Sequence, residues 1–178
     1  MRVIAGSARG VQLSAPRGKA TRPITDRVKE TLFGILGDRV VDARVLDLYA
    51  GTGSIGIEAL SRGAVSADFV ERDRAALSAL RANLERTRVQ GASVHESEVE
   101  RFLSVAGDRW DLVVLDPPYE ARAIVAPLRA LVPLLAPGAS VVIKHFWRDA
   151  PPEVDGLAAV RQRRFGETTL TFLEAPDA

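Results

Sequence analysis

The chain has 178 residues, a formal net charge of +1 and no cysteine, a length that suits one domain with a sizeable core. The absence of cysteine excludes disulfides, thiolate metal sites and cysteine nucleophiles, and with only two histidines, His95 and His145, no metal site is predicted. Because it has no apolar run of about 18 residues and no signal-peptide core near its start, we expect a soluble, unexported protein of the cytoplasm.

Charge is unevenly distributed along the chain. Residues 1–30 hold seven basic and two acidic side chains, a local charge of +5, which leaves −4 for the remainder. Phosphates bind such a flank because neutralising them releases counterions. Many charge runs are simply solvated faces, so the flank alone favours a polyanion partner only weakly.

The first elements are a hairpin and a helix. Residues 2–16 have two apolar stretches around Ser7 to Gly10, which predicts a β-hairpin or a pair of edge strands. A helix follows between a cap at Thr25 or Asp26 and an end at Gly37, because four apolar residues recur there at helical spacing: Val28, Leu32, Ile35 and Leu36.

From Val45 onward, strands alternate with helices. The predicted strands are Val45 to Tyr49, Ala67 to Val70, Ser93 to His95, Leu112 to Leu115 and Ser140 to Lys144. The predicted helices are Ser54 to Ser61, Arg74 to Arg86, Glu98 to Ala106 and Ala121 to Leu135. Several strands are continuous apolar runs, which is typical of a mostly parallel sheet with helices on both faces. Two final strand-like runs meet near Gly166 and predict an antiparallel hairpin.

A glycine-rich turn follows the first of these strands. Gly51, Gly53 and Gly56 form the pattern G-x-G-x-x-G. Glycine allows positive φ and close approach of a ligand to the backbone. Glu71 ends the next strand, 18 residues after Gly53, where a carboxylate can accept from both ribose hydroxyls. The loop and the acid together predict an adenosine-nucleoside site.

Asp47 bears on which nucleoside cofactor fits. A pyrophosphate prefers a helix N-terminus without nearby negative charge, and Asp47 lies four residues before Gly51. S-adenosylmethionine carries a sulfonium and an ammonium, which an aspartate attracts directly or through water, so Asp47 favours methyl transfer. Glu98 can accept from the adenine amine, or can be only a first-turn acid favoured by its helix dipole.

The sequence DPPY, Asp116 to Tyr119, ends the fourth strand, beside the first in a doubly wound sheet. An exocyclic base amine is a poor nucleophile because its lone pair is delocalised. The Asp116 carboxylate and the Pro117 carbonyl, both acceptors, can hold its N–H bonds so that the lone pair faces a methyl group. Tyr119 offers a face on which a base can stack.

These motifs carry a resemblance. DLYAGTGSIGIEAL, VERD and DPPY resemble motifs of S-adenosylmethionine-dependent amino-group methyltransferases, and RVIAGSARGVQL, RPITDRVKETLF and FGETTLTFLE resemble the bacterial RsmD family. The resemblance implies a Rossmann-like class I fold, with a mostly parallel seven-stranded sheet, a C-terminal antiparallel hairpin and a small N-terminal hairpin and helix. It also implies methylation of a guanine N2 amine in 16S ribosomal RNA, free or in an assembling small ribosomal subunit.

The resemblance also assigns residues within a single domain, 1–178, made of a basic extension (1–22) and a catalytic core (23–178). Its catalytic residues are Asp116, Pro117 and Tyr119. Its cofactor residues are Thr25, Lys29, Asp47, Tyr49, Gly51, Thr52, Gly53, Glu71, Arg72, Glu98 and Asp116. Its RNA-binding residues are Arg2, Arg9, Arg17, Lys19, Arg22 and Arg27. Where the family usually has aspartate, this chain has Glu98.

Other functions fit the sequence less well. A DNA base-amino methyltransferase usually adds a target-recognition region, for which this chain has no spare length. Cytosine C5 methylation by thiolate addition needs a cysteine, and methylation of protein glutamine typically goes with asparagine in place of Asp116. An NAD-dependent dehydrogenase leaves Asp47 and DPPY without a role, and a non-catalytic RNA-binding module does not need the intact glycine loop.

Overall fold

A computed structural model describes residues 1–16, 24–107, 109–117 and 124–177. At its centre is a seven-stranded mixed sheet in the order β3-β2-β1-β4-β5-β7-β6. Strands β1 to β5 are parallel, and β7 pairs antiparallel with β5 and β6, which confirms the predicted fold class. The strands are β1 (Arg44–Leu48), β2 (Ser66–Glu71), β3 (Ala92–Glu96), β4 (Trp110–Leu115), β5 (Leu135–Phe146), β6 (Ala158–Phe165) and β7 (Thr168–Glu174).

Helices cover both faces of the sheet. They are α1 (Asp26–Leu36), α2 (Ser54–Ser61), α3 (Arg74–Thr87), α4 (Val99–Val105) and α5 (Val125–Leu131), with short 3-10 turns at Gly37–Val40 and Val132–Leu134. The first three helices and the N-terminal segment share one apolar core, and α4 and α5 share the other. Within the described ranges, no helix has the length and apolar character needed to cross a bilayer.

Local chemistry accounts for the helix starts that the sequence predicted. The Thr25 hydroxyl accepts from the Val28 N–H and caps α1, as expected. Asp73 caps α3 in the same way, through the Ala76 N–H. A side chain that accepts a first-turn N–H satisfies a donor that has no partner within the helix.

Two predicted elements differ from the structure. The helix predicted up to Leu135 ends at Leu131, with a 3-10 turn after it, because Pro133 has no N–H with which to continue an α-helix. The chain then enters β5 at Leu135, five residues earlier than predicted. Residues 121–123 of that predicted helix lie outside the described residues.

The predicted N-terminal hairpin is reduced to one isolated antiparallel bridge, Arg2 to Gln12. The segment is instead docked on α2: the amides of Ile4 and Ala5 donate to the Glu58 carboxylate at 2.8 and 3.0 Å. We call residues 1–14 the arm. Because its backbone groups bond to a core helix, the arm's position depends on α2.

Lys29 completes this junction. Its side chain is fully buried, with Nζ 3.3 Å from a Glu58 oxygen and 2.5 Å from the Arg2 carbonyl oxygen. Burial lowers the pKa of Lys29, and Glu58 opposes that shift. Lys29 was predicted to contact the cofactor. That contact stays a prediction: the Lys29 amine has no exposed surface, and its two protein partners belong to the arm junction.

A second buried side chain joins the arm to the glycine loop. The Asn83 amide nitrogen donates to the carbonyls of both Ser14 and Thr52 at 3.0 Å, and its oxygen accepts from the Ser14 N–H at 2.8 Å. Asn83 is completely buried on α3. The end of the arm therefore lies against the loop that the sequence singled out for ligand binding.

Gly6 is expected to be essential for docking the arm. A Cβ at Gly6 would lie 1.7 Å from the carbonyl oxygen of Ser61, a backbone atom that cannot rotate away. Gly6→Ala should therefore lower the free energy of unfolding by about 3 kcal/mol through overpacking, measured by urea denaturation. Hydrogen exchange at the Ile4 and Ala5 amides should accelerate, because these amides lose Glu58.

Gly10 provides a matched control for this prediction. It has nearly the same φ as Gly6, +84° against +83°, but no atom lies within 4 Å of its Cβ position. Gly10→Ala therefore introduces backbone strain without a clash, which costs about 1 kcal/mol. Equal destabilisation of the two variants would show that strain rather than contact with Ser61 explains the first result.

Candidate functional site

The glycine loop connects β1 to α2 through an unusual backbone. Tyr49, Gly51 and Gly53 all have positive φ, at 60°, 57° and 77°. Around the Gly51 Cβ position the nearest atom is a backbone oxygen 4.0 Å away, so this glycine faces open space. A Cβ at Gly56 would instead lie 2.3 Å from the Phe69 ring. Gly51 therefore leaves room for a ligand, whereas Gly56 allows α2 to pack on β2.

Asp47 lies beneath this loop rather than at its surface. It is 1% exposed, and its carboxylate accepts from the Gly56 N–H at 2.9 Å. Burial raises the pKa of Asp47 well above its ordinary range, the Gly56 bond opposes this, and the charges of Asp116 and Glu71 raise it further. Asp47 therefore has almost no exposed surface for direct contact with a ligand.

Glu71 ends β2 beside the loop, as predicted. One carboxylate oxygen accepts from the Gly51 N–H at 2.8 Å, and the other accepts from the N–H groups of Arg72 and Asp73, both at 2.8 Å. Three backbone donors hold this carboxylate in one orientation at the edge of the loop. A ribose hydroxyl that binds Glu71 has to share or replace the Gly51 bond.

Glu98 and Arg72 form an exposed ion pair over the same edge. The two Glu98 oxygens lie 2.8 and 3.0 Å from one Arg72 nitrogen, and more than half of each side chain is exposed. Tyr49 lies nearby. Burial raises the pKa of Tyr49 to about 12, with a further contribution from Glu100, so its phenol is neutral at physiological pH. Glu98, the predicted adenine contact, is thus paired to a cation, and Tyr49, a predicted cofactor residue, lies close to this pair.

Asp116 follows β4, and its N–H donates to the Leu48 carbonyl of β1 at 3.3 Å. This bond places the start of DPPY directly beside the end of β1, from which the glycine loop begins. The side chain of Asp116 is 22% exposed, and one carboxylate oxygen lies 2.6 Å from Lys144 Nζ. Burial raises the pKa of Asp116, and Lys144 opposes that rise.

Lys144 is a site residue that the sequence did not identify. It lies near the end of β5, next to β4 in the sheet, and its side chain is only 10% exposed. The stretch KHFWRD, residues 144–149, indicated no role, because neighbouring residues do not show which distant side chain the lysine contacts. In the sheet, Ile143 pairs with Leu115, which brings Lys144 beside Asp116.

His145, the next residue, has a structural role. One ring nitrogen lies 2.7 Å from the Thr171 hydroxyl and the other lies 3.0 Å from the Phe146 carbonyl oxygen. The Thr171 contact joins β5 to β7. His145 therefore has its polar groups engaged within the sheet.

The predicted basic residues are only partly described. Arg2 is paired with Asp26 at 3.4 Å and remains more than half exposed, while Arg9 and Arg27 are exposed. Thr25 caps α1 and is also exposed, and its predicted cofactor contact is not tested. Four predicted residues lie outside the described part of the chain: Arg17, Lys19, Arg22 and Tyr119.

Comparison with known proteins finds a family and several relatives that this chain resembles. A family described as Conserved hypothetical protein 95 matches residues 1–174. YlbH of Bacillus subtilis, which has a provisional rRNA methyltransferase name, is 38% identical over 175 residues, 94% of this chain and 95% of YlbH. Ribosomal RNA small subunit methyltransferase D of Escherichia coli K12 is 43% identical over 119 residues, which cover 67% of this chain and 60% of that protein.

A solved structure matches the whole chain. The protein yhhF from Escherichia coli, provisionally described as a methyltransferase, is 31% identical with a TM-score of 0.91, and the match covers 100% of this chain and 99% of that protein. The sequence alignment with methyltransferase D spans less than two thirds of that protein. The structural match, by contrast, includes the arm, the sheet and the C-terminal hairpin.

Proposed function

Because this chain belongs to the RsmD family of ribosomal RNA methyltransferases, we propose that it transfers a methyl group from S-adenosylmethionine to the exocyclic N2 amine of a guanine in 16S ribosomal RNA. The observation that carries the proposal is the bond from Asp116 to Leu48. It puts two acceptors for an amine, the Asp116 carboxylate and the Pro117 carbonyl, next to a loop suited to a nucleoside.

The electrostatics of the loop support this cofactor. Asp47, Glu71 and Asp116 are close enough that the last two raise the pKa of the first. A pyrophosphate would add negative charge beside these carboxylates and be repelled, whereas a cation would favour their ionised forms. S-adenosylmethionine supplies a methyl group on a positively charged sulfur. Gly51 and Glu71 would hold its nucleoside, and the carboxylates would favour its positive end.

Asp116 and Pro117 would orient the target amine. One oxygen of Asp116 accepts one N–H of the amine while the other oxygen stays on Lys144, and the Pro117 carbonyl accepts the second N–H. Held in this way, the nitrogen lone pair points toward the methyl carbon. Transfer would break the bond between the methyl carbon and the sulfur as the N–C bond forms, which would leave the sulfur neutral and the nitrogen positive. The Asp116 carboxylate stabilises that charge and can receive the released proton.

The target guanine has to leave its helix. In double-stranded RNA the N2 amine lies in the minor groove, out of reach of a concave site. A guanine in a loop, or one that is flipped out, meets this requirement at an unstacking cost of a few kcal/mol. Stacking on Tyr119 and phosphate contacts from the basic N-terminal region would offset that cost.

The proposal is tested by the product. Labelled S-adenosylmethionine is incubated with unmodified small-subunit particles, free 16S ribosomal RNA or DNA, and the nucleosides are identified by mass spectrometry. We expect N2-methylguanosine from one or both RNA substrates and no labelled base from DNA. A methylated adenine, or label in DNA alone, would show that the target was assigned wrongly.

Lys144 is expected to set the pH range of the reaction. The amine acceptor is ionised Asp116, so the rate falls as the pH drops through the pKa of Asp116, which burial raises and Lys144 lowers. Lys144→Met removes the opposing charge and should move the acidic limb of the single-turnover rate to higher pH. Lys144→Arg keeps the charge and should leave the limb near its original position. An unshifted limb in the methionine variant would mean that another group titrates.

A further inference from the structure

The end of β5 has a second cluster of side chains beyond Lys144. Arg164 lies with its guanidinium carbon 3.8 Å from the centre of the Trp147 ring, and Arg148 lies 4.8 Å from the same centre. The backbone N–H of Trp147 donates to the Glu167 carbonyl at 3.0 Å, and Arg164 Nε donates to the Gly166 carbonyl at 2.7 Å. Two guanidinium groups therefore lie over one indole ring, at a position that these hydrogen bonds fix.

This cluster lies at the same edge of the sheet as Asp116. Phe146, the last residue of β5, pairs with Thr168, which in turn pairs with Phe165 of β6. Because β7 is antiparallel, the β6–β7 turn is at the carboxyl end of β4 and β5, where Asp116 lies. Three strand spacings separate β4 from β6, roughly 14 Å in all.

Strand β6, the outermost strand of the sheet, carries further positive charge. Arg161 and Arg163 stand opposite Phe172 and Leu170, on the other face of β6 from Arg164, because successive residues of a strand point to opposite faces. All residues from Ala158 to Arg164 are exposed. No carboxylate of the described chain forms an ion pair with Arg148, Arg161, Arg163 or Arg164. Their charges are thus available to an external anion.

Charged residues on an edge strand can serve only to prevent strand pairing between molecules. That explanation does not require arginine rather than lysine. It also does not account for two guanidinium groups on one tryptophan near the carboxyl ends of the strands, where Asp116 lies. Arginine binds phosphate through a planar fork, and aromatic rings and guanidinium planes stack on unpaired bases. The cluster combines both kinds of contact.

We propose that Trp147, Arg148 and Arg164 form a second RNA-binding surface, which holds single-stranded nucleotides flanking the target. The inference rests on the proposed function, since it takes RNA as the substrate. The arginines bind phosphates, and a flanking base stacks on the Trp147 cluster. The basic arm is the first RNA-binding surface, and this cluster contacts the RNA near Asp116 from a second direction.

The test uses the full-length protein and a fragment of unmodified 16S ribosomal RNA that the wild type methylates. Arg148→Ala with Arg164→Ala should weaken binding about tenfold in fluorescence anisotropy at moderate salt. The plot of log K against log salt should flatten by about 0.7 for each phosphate that the variant no longer binds. The KM for RNA should rise while kcat and calorimetric affinity for S-adenosylmethionine stay within about twofold.

A matched control removes the same charge elsewhere. Arg81→Ala with Arg101→Ala replaces two exposed arginines on α3 and α4 and should leave RNA affinity and salt slope unchanged. A second measurement uses RNA trimmed on either side of the target. Once the flank bound by the cluster is gone, the wild type and the variant with Arg148→Ala and Arg164→Ala should bind equally well.

The outcomes separate the two proposals. If the wild type methylates RNA and the variant at Arg148 and Arg164 binds it as tightly as the control variant does, the second surface is overturned and the proposed function stands. If the wild type neither binds nor methylates RNA, both are overturned. Thermal melting of each variant shows whether the fold is intact, which is expected because the replaced side chains are exposed.

Discussion

Asp116→Ala is expected to lower the single-turnover rate of methyl transfer by about 10²- to 10³-fold or more, the range seen when one preorganised transition-state contact is removed. Cofactor affinity, measured by calorimetry, should stay close to that of the wild type. The reason is geometric: the Asp116 carboxylate holds the amine and its developing charge, while Gly51 and Glu71 lie where the nucleoside binds.

Removal of Asp116 also leaves the nearly buried Lys144 ammonium without this partner. The double variant Asp116→Ala with Lys144→Met removes that charge and should recover thermal stability without recovering activity. Asp116→Asn, which keeps an acceptor oxygen, should fall between the wild type and the alanine variant in rate. If the double variant regained methyl transfer, or if Asp116→Ala lost cofactor affinity in proportion to rate, the catalytic role of Asp116 would be wrong.

Glu58→Gln is expected to lower the free energy of unfolding by about 3–5 kcal/mol, because it leaves the buried Lys29 charge without its counter-ion. Glutamine keeps one oxygen for the Ile4 or Ala5 amide, but its NH2 group cannot accept from the other amide, so the variant loses a hydrogen bond as well as the charge. Urea denaturation measures the destabilisation. Lys29→Met with Glu58→Gln removes both charges and should restore part of the stability.

The pH dependence of the Glu58→Gln variant follows from the pKa of Lys29. Burial already lowers this pKa in the folded protein, and removal of the Glu58 charge should lower it further. Between the lowered folded pKa and the ordinary lysine value, the unfolded chain binds more protons than the folded chain. Stability of the variant should therefore rise with pH across that window and be lowest below it. A flat profile would mean that Lys29 escapes to solvent in the variant.

Features encoded by neighbouring residues were predicted well from the sequence. The apolar runs at Val45 and Leu112 predicted parallel strands, and Thr25 and Gly166 marked a helix cap and a hairpin turn, which the structure confirms. Each depends on residues a few positions apart. The end of α5 was missed because the apolar pattern continues beyond Pro133 into the start of β5.

Features that join distant residues were not predicted. Lys29 was assigned to the cofactor, although it pairs with Glu58, and Lys144 had no predicted role, although it pairs with Asp116. The burial of Asp47 beneath the loop was not predicted. The sequence contains all these charges, but their partners depend on sheet register and helix docking.

The sequence by itself determined the order of strands and helices, the glycine loop and the DPPY stretch after the fourth strand. Turn chemistry and the hydrophobic period act over only a few residues. Only the tertiary structure decided that the arm bonds to α2, that Lys144 faces Asp116, and that two arginines lie over Trp147 at the same edge. These contacts form when separate segments pack together, and burial then determines which charges are paired and which remain available to a substrate.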